Sequence, residues 1–373
     1  MPKASEKEIK LLEKAAADFA KKELVPDREE NDKYPFGPFF DSVLDKAYEL
    51  DFFHIVLPEE AGGMGHGMRA LCTVLGCICQ ADSSLGGIIF TTAAAQEVLI
   101  AAGENEVLKR ITSNAKKVTD FLIAFPVFNN PNEIKPAAGA VKKNGQYHLS
   151  GKLEYAVLGD LAAQALVTAT TDGQEGYSYF LIDLSEPGVQ KSSPIHSLGL
   201  HACPAVDLEL NDVPAERIGK PGEGKQYFKT MADRLNIASA AMSAGIMKGS
   251  FKEAFEYSKM RSQGGKKIIN WSEIKMILAN MAVQIKIADM CITGASQDVD
   301  RQSSGWAAGS RAAAIHVQSA ACDLTTDGIQ VLGGVGYMKD FGQEKRFRDA
   351  KHLQALLGIA PLKKINYLDD MIR

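Results

Sequence analysis

Apolar residues in the first third of the chain recur at helical intervals. Ile9, Leu12, Ala16, Phe19 and Leu24 fall three to five positions apart, which gathers them on one face of an amphipathic helix. One loop interrupts this texture: residues 57–65, LPEEAGGMG, concentrate Pro and Gly where the chain must turn between helices. Residues 68–102 are apolar, rich in Ala, Gly and Cys and poor in charge, the composition of helices packed on several sides. Past Phe121 the period shortens. Runs at 146–150, 164–170, 177–183 and 206–210 are rich in β-branched and aromatic residues and bounded by Gly, Pro, Asn or Asp, which predicts short strands. From Gln226 the helical pattern returns, with turns expected at 263–270, 302–305 and 333–336. The order predicts an α+β multidomain chain: an N-terminal α-helical domain over 1–118, a central β-barrel or sandwich over 119–225, and a C-terminal helical bundle over 226–373.

Composition narrows the function classes. With 373 residues, 46% of them hydrophobic and 24% charged, the chain can bury more than one core. A formal charge of −4 supplies no field that would gather phosphodiesters, so nucleic-acid binding is not expected. Cys72, Cys77 and Cys79 crowd one apolar stretch, with Cys203, Cys291 and Cys322 scattered behind. A Cys-x-Cys pair without a partnering Cys or His cluster lacks the spacing of a zinc site, so no metal is expected, and six unframed cysteines suit the reducing cytoplasm. The mixed charges of the first 26 residues do not read as a secretory leader, and no uninterrupted run of about 18 apolar residues predicts a membrane span.

Six strings carry more specific information: LPEEAGGMG at 57–65, GQYHLSGK at 145–152, SLGLHACPAVDLELNDVPAERIGKPGEG at 197–224, RSQGGKKI at 261–268, QVLGGVGY at 330–337 and RFRDAK at 346–351. In this order and at these separations the chain resembles the acyl-CoA dehydrogenase family along essentially its whole length. The resemblance implies that the C-terminal helices form a four-helix bundle, and that the chain uses FAD, acts on an acyl-CoA thioester and passes electrons to an electron-transferring flavoprotein or similar acceptor. It also implies a homo-oligomer, a tetramer or a dimer. Arg261 then holds the dinucleotide pyrophosphate, a role suited to a bidentate cation, with Gln263 beside it in the same motif. Gln330, Gly333 and Gly334 let backbone approach the cofactor across a subunit boundary, since glycine has no side chain to obstruct it. Tyr155 stands where an aromatic shields the flavin.

The same resemblance exposes departures. The family's usual proton acceptor, a glutamate just before a glycine, falls at Leu357, followed by Gly358. Leucine accepts no proton, although the amide at 357, with Gly358 beside it, would remain as a donor to a thioester carbonyl. Ile359 and Pro361 replace polar family contacts, FPVFNNPNEIKP at 125–136 replaces the flavin-contacting strip of the β domain, and Gly264 and Ser272 depart from the bundle motif. A minority of the family carries the base on the first bundle helix before an arginine, which points here to Asp233 followed by Arg234, the latter anchoring the CoA end. An ungapped count back from Tyr257 and Arg261 places Leu235 in that slot instead, so a solvated Asp-Arg pair stays open as the other reading. Glu97, in the apolar run TTAAAQEVLIAAG, is a further candidate, because an acid there is costly without partner or purpose. Asp82 reads as a helix cap and His201 as structural. Three functions follow: an FAD-dependent oxidoreductase of a branched, cyclic or functionalised acyl-CoA with a relocated base; a relative with changed chemistry, elimination or reduction of a thioester; or a non-catalytic subunit of a hetero-oligomer.

Overall fold

Helix formation begins at a reciprocal cap. The Ser5 hydroxyl accepts from the Glu8 amide at 3.3 Å and the Glu8 carboxylate accepts from the Ser5 amide at 2.6 Å, which satisfies two of the donors that a helix start leaves open. The computed structural model describes residues 4–33 and 41–372. Its N-terminal helices are α1 Glu6–Phe19, α2 Asp41–Glu49, α3 Met68–Ala81, α4 Ser83–Ala102, α5 Asn105–Asn114 and α6 Val118–Phe121. Apolar side chains surround α4, which is buried from Ser83 to Leu99 and forms the centre of this layer. Asp82 caps it, accepting from the Ser84 amide at 2.7 Å, the role its sequence context predicts.

The strands are β1 Ile123–Ala124, β2 Gly139–Lys143, β3 Gln146–Val157, β4 Gln164–Thr171, β5 Ser178–Asp183, β6 Val189–Lys191 and β7 Ala205–Ile218. Strand β4 pairs in parallel with β2 and antiparallel with β5, so the path β4, β2, β3, β7, β5 returns to β4 and closes a barrel. β1 lies on β4 and β6 on β7 at its margin. Burial alternates along β7, whereas β5 is buried on both faces, because its outer side meets the helices.

The C-terminal part consists of α7 Gly224–Met260, α8 Ser272–Arg301, α9 Trp306–Leu332, α10 Gln343–Leu353 and α11 Ala360–Ile372, with a hairpin of β8 Ser262–Gln263 and β9 Lys266–Lys267 between α7 and α8. Helices α7, α8, α9 and α10 pack on one another, and α3 lies along α7. By length and composition alone α4 and α8 are long and apolar enough to cross a membrane. Tertiary packing explains both differently: α4 is a core helix, and α8 rests one face on α7 and α9 while Met276, Val283, Ile287 and Met290 face outward.

Ion pairs along α10 tie these layers together. Arg346 donates to Glu253 of α7 at 2.8 and 3.1 Å and to the Gln80 carbonyl of α3 at 2.9 Å, while Arg28 reaches the same glutamate at 2.5 Å. Arg348 pairs with Asp32 and donates to the Leu198 carbonyl at 3.2 Å. Asp349 accepts from Lys345 at 2.7 Å and from the Leu200 amide at 2.8 Å. Lys345 and Asp349 are almost fully buried, and removing Asp349 leaves the Lys345 ammonium only the more distant Asp82 carboxylate, at 3.5 Å, and strips the Leu200 amide of its acceptor. Asp349→Ala therefore costs about 3–5 kcal/mol in denaturant unfolding. Adding Lys345→Met restores part of it; a double variant no better than the single one refutes the charge argument.

Candidate active site

Five residues named for the cofactor come together in space. Arg261, Gln263, Gln330, Gly333 and Gly334 line one open cleft of about 700 Å3 between the end of α7 and the 3-10 turn Gly333–Tyr337 that follows α9. Helix α7 ends at Met260, so Arg261 leaves it in extended conformation just before β8, and its side chain is exposed, with no carboxylate partner among the described residues. A Cβ built on Gly333 or Gly334 would meet no atom within 4 Å. The backbone of Gly333, at φ 65° and ψ −139°, itself requires glycine, whereas nothing within the chain requires it at 334, where the bare backbone leaves room for something from outside. Trp271 comes within 2.9 Å of the Cβ position of Gly264, so its indole takes up the space that a side chain there would need. An unpaired guanidinium, two amide side chains and exposed backbone suit a dinucleotide diphosphate. The residues present fit that half of FAD.

Tyr155 lies elsewhere, at the seam of the barrel and α10. Its hydroxyl is 3.2 Å from His352 Nε2, and Phe128 stands edge-on to both rings, 5.5 Å from Tyr155 and 4.5 Å from His352. An aromatic system brought to this face of Tyr155 meets two rings of the chain itself. Burial is the main cause that pushes the His352 imidazole down to about 4, with His201 adding to it and Asp349 opposing. Tyr155 and Leu357 both hold φ near +60°, at 57° and 61°, a conformation that bulky residues keep only where surrounding contacts impose it.

At Leu357 the expected amide donor is already used. Its N–H donates to the Val127 carbonyl at 2.8 Å, joining the bundle to the segment after β1, so it is not free for a thioester carbonyl. The loop is fixed from below by Lys363, whose ammonium donates to Gln318 Oε1 at 3.1 Å and to the carbonyls of Gln354 and Leu356 at 2.8 and 2.9 Å. Burial pushes that amine down to about 8. Leu357 borders a cavity of about 240 Å3 whose wall includes Asp233, Glu133, Arg311 and Lys363.

Asp233 thus shares a cavity with the missing base position, but both of its oxygens carry a cation: Lys229 at 2.6 Å and Arg311 at 2.8 Å. Accepting a proton there requires breaking an ion pair. Leu235 is fully buried on the same uninterrupted helix. Glu97 is neither unpartnered nor near Leu357. It forms a bidentate pair with Arg234, at 2.7 and 3.2 Å, and both line a separate space of about 490 Å3. The arginine expected to anchor CoA is occupied by the acid expected to act as a base. His201 is structural: it bridges the Asp32 and Ser197 carbonyls. Sequence reading passes over Glu133, Arg311 and Lys363, since their cavity is assembled from segments far apart in the chain; the one local signal for Glu133 is that it lies in the divergent stretch 125–136.

Residues 6–114 match the acyl-CoA dehydrogenase N-terminal domain and residues 222–360 the C-terminal domain. The chain is 27% identical over 366 residues to the caffeyl-CoA reductase-Etf complex subunit CarC of Acetobacterium woodii, covering 92% of each. It is 26% identical over 375 residues to the 3-(aryl)acrylate reductase of Clostridium sporogenes, covering 97% of this chain and 98% of that one. The structure of butyryl-CoA dehydrogenase from Megasphaera elsdenii superposes over the full length of both chains with a TM-score of 0.88 at 23% identity, a likeness of fold.

The His352 environment yields a pH dependence. Its folded value lies below the ordinary 6.5, so between about 6.5 and 4 the unfolded chain binds a proton that the folded chain refuses. Stability present at neutral pH is therefore lost as pH falls through that window. Denaturant midpoints at pH 7 and 5 are expected to differ less in His352→Leu than in the parent chain; equal differences would remove the imidazole as their cause.

Proposed function

Because this chain belongs to the acyl-CoA dehydrogenase family, we propose that it is an FAD-dependent oxidoreductase that interconverts the α,β-saturated and unsaturated forms of a functionalised acyl-CoA, with aryl-substituted thioesters the first choice. The observation that carries the reading is the single cleft shared by Arg261, Gln263, Gln330, Gly333 and Gly334. Two relatives of near full-length coverage are named for reduction of aryl-acrylic substrates, and one of them works in a complex with an electron-transferring flavoprotein, which supports such a partner here. FAD, when bound, supplies the hydride chemistry at the β-carbon.

The chain's own residues have separate tasks. Arg261 neutralises the diphosphate, and the glycines admit it closely. Lys363 holds the 354–358 loop so that Leu357 forms an apolar wall. The α-proton is handled by a carboxylate of the cavity beside that wall rather than by residue 357. A second copy of this chain completes the open side of the cleft, and the outward apolar face of α8 supports such an association.

A second reading is favoured by one observation: the side-chain base is absent at 357 and the amide there is spent on Val127. On that reading the chain is the non-catalytic member of a hetero-oligomer. A visible absorbance spectrum separates the two. The purified protein is expected to carry flavin absorbance that 3-phenylpropanoyl-CoA bleaches without oxygen. Arg261→Ala is expected to weaken FAD binding about tenfold or more, the loss of one charged hydrogen-bonding group. A colourless protein that acquires flavin only when co-expressed with a related chain establishes the second reading instead.

A further inference from the structure

We propose that Glu133, on the barrel loop 125–136, is the carboxylate that accepts the α-proton of the thioester. This deepens the acyl-CoA reading and rests on it.

Position is the first argument. Glu133 lines the cavity that Leu357 borders. A Cβ built on Gly358 would stand 3.4 Å from Glu133 Oε2, and the three atoms nearest to it all belong to Asn130 and Glu133. The carboxylate therefore lies against the turn that bears the family's proton acceptor, reaching it from the opposite domain. Gly358, with φ +117°, leaves the gap through which it comes close.

The second argument is which oxygens are free. Asn130 and Asn366 both donate to Glu133 Oε1, at 2.9 and 3.0 Å, and no hydrogen bond reaches Oε2 among the described residues. Asp233 has a cation on each oxygen, Glu97 is gripped on both by Arg234, and Asp370 pairs with Arg311; Asp369 also lines the cavity, but the atoms nearest the Gly358 Cβ position are those of Asn130 and Glu133. Glu133 is held in place through one oxygen and has the other available, with no ion pair to break. Partial burial raises its carboxyl above the ordinary value, the direction a base for a weakly acidic carbon requires.

A third argument joins two departures from the family pattern. The strip 125–136 and position 357 diverge independently in sequence, yet Leu357 donates its amide to Val127 of that strip and Glu133 faces the following glycine. The loss and the gain are adjacent in space.

In the step itself the α C–H bond breaks, an O–H bond forms at Oε2, and the electron pair remains on the thioester as its enolate. Reversal in heavy water returns deuterium to the α-carbon and consumes no oxidant. The test incubates the protein as purified with 3-phenylpropanoyl-CoA in D2O, reads α-deuteration by mass spectrometry, and measures thioester binding separately by calorimetry. The native chain is expected to exchange the proton, and Glu133→Gln to lose about 100-fold or more of that rate, the general-base contribution, while still binding the thioester. Glu133→Asp keeps the charge but draws the oxygens back from Gly358, so exchange falls while the circular dichroism spectrum stays native. Native exchange rates in both variants overturn the assignment. A native protein that binds the thioester without exchanging its proton also overturns it, leaving the acyl-CoA reading intact. A native protein that binds no thioester defeats both.

Discussion

The arrangement of this molecule depends on how α10 solves a desolvation problem. Its sequence, QEKRFRDAKHL, sends three cations inward, and each would be prohibitive to bury alone. Each instead finds a carboxylate on or beyond the helix: Lys345 meets Asp349, Arg346 meets Glu253, and Arg348 meets Asp32 and Glu344. Since these partners and the accompanying carbonyls belong to α3, α7, the N-terminal segment and the exit from the barrel, the pairs are satisfied only in one mutual placement of the layers. The loop bearing Leu357 follows directly from that helix and inherits its precision.

From that anchoring the division of the site follows. The cleft lined by Arg261 and Gly334 opens at the far ends of α7 and α9, where helices stop and backbone is exposed. The cavity beside Leu357 lies at the seam between barrel and bundle, closed by the Val127–Leu357 hydrogen bond and by Lys363 under the loop. Left-handed backbone at Tyr155 and Leu357 marks the same seam. Conformations of this kind persist where neighbouring contacts over-determine them, as the Asp207 carboxylate does by accepting the Tyr155 amide at 3.0 Å.

Much of this was legible in the chain because it is local. Period 3.6 and period 2 separated helices from strands, Gly and Pro located the loops, and the cleft residues lie in two short motifs at helix ends. What escaped is set by pairing over distance. Nothing near Glu97 announces Arg234, 137 positions away, and nothing near Arg348 announces Asp32. An isolated acid in an apolar run looked reactive because its counterion could not be seen. The amide at 357 looked free for a parallel reason: a backbone donor's partner is decided by tertiary structure alone.

The leucine at 357 is more than a loss. A carboxylate in that place would bring charge and water into a cavity already holding Asp233, Arg311 and Lys363. Leucine, buried at 3% exposure, removes both. An apolar wall lowers the effective dielectric around the remaining acids, which raises the cost of their charged forms and strengthens every ion pair nearby. Asp233 carries a cation on each oxygen, and both ion pairs strengthen in a dry surrounding. For Glu133, whose hydrogen-bond partners are neutral amides, the cost of burial outweighs the opposing pull of the Lys363 charge. The same substitution that deletes one proton acceptor therefore sharpens the difference between Asp233 and Glu133 beside it.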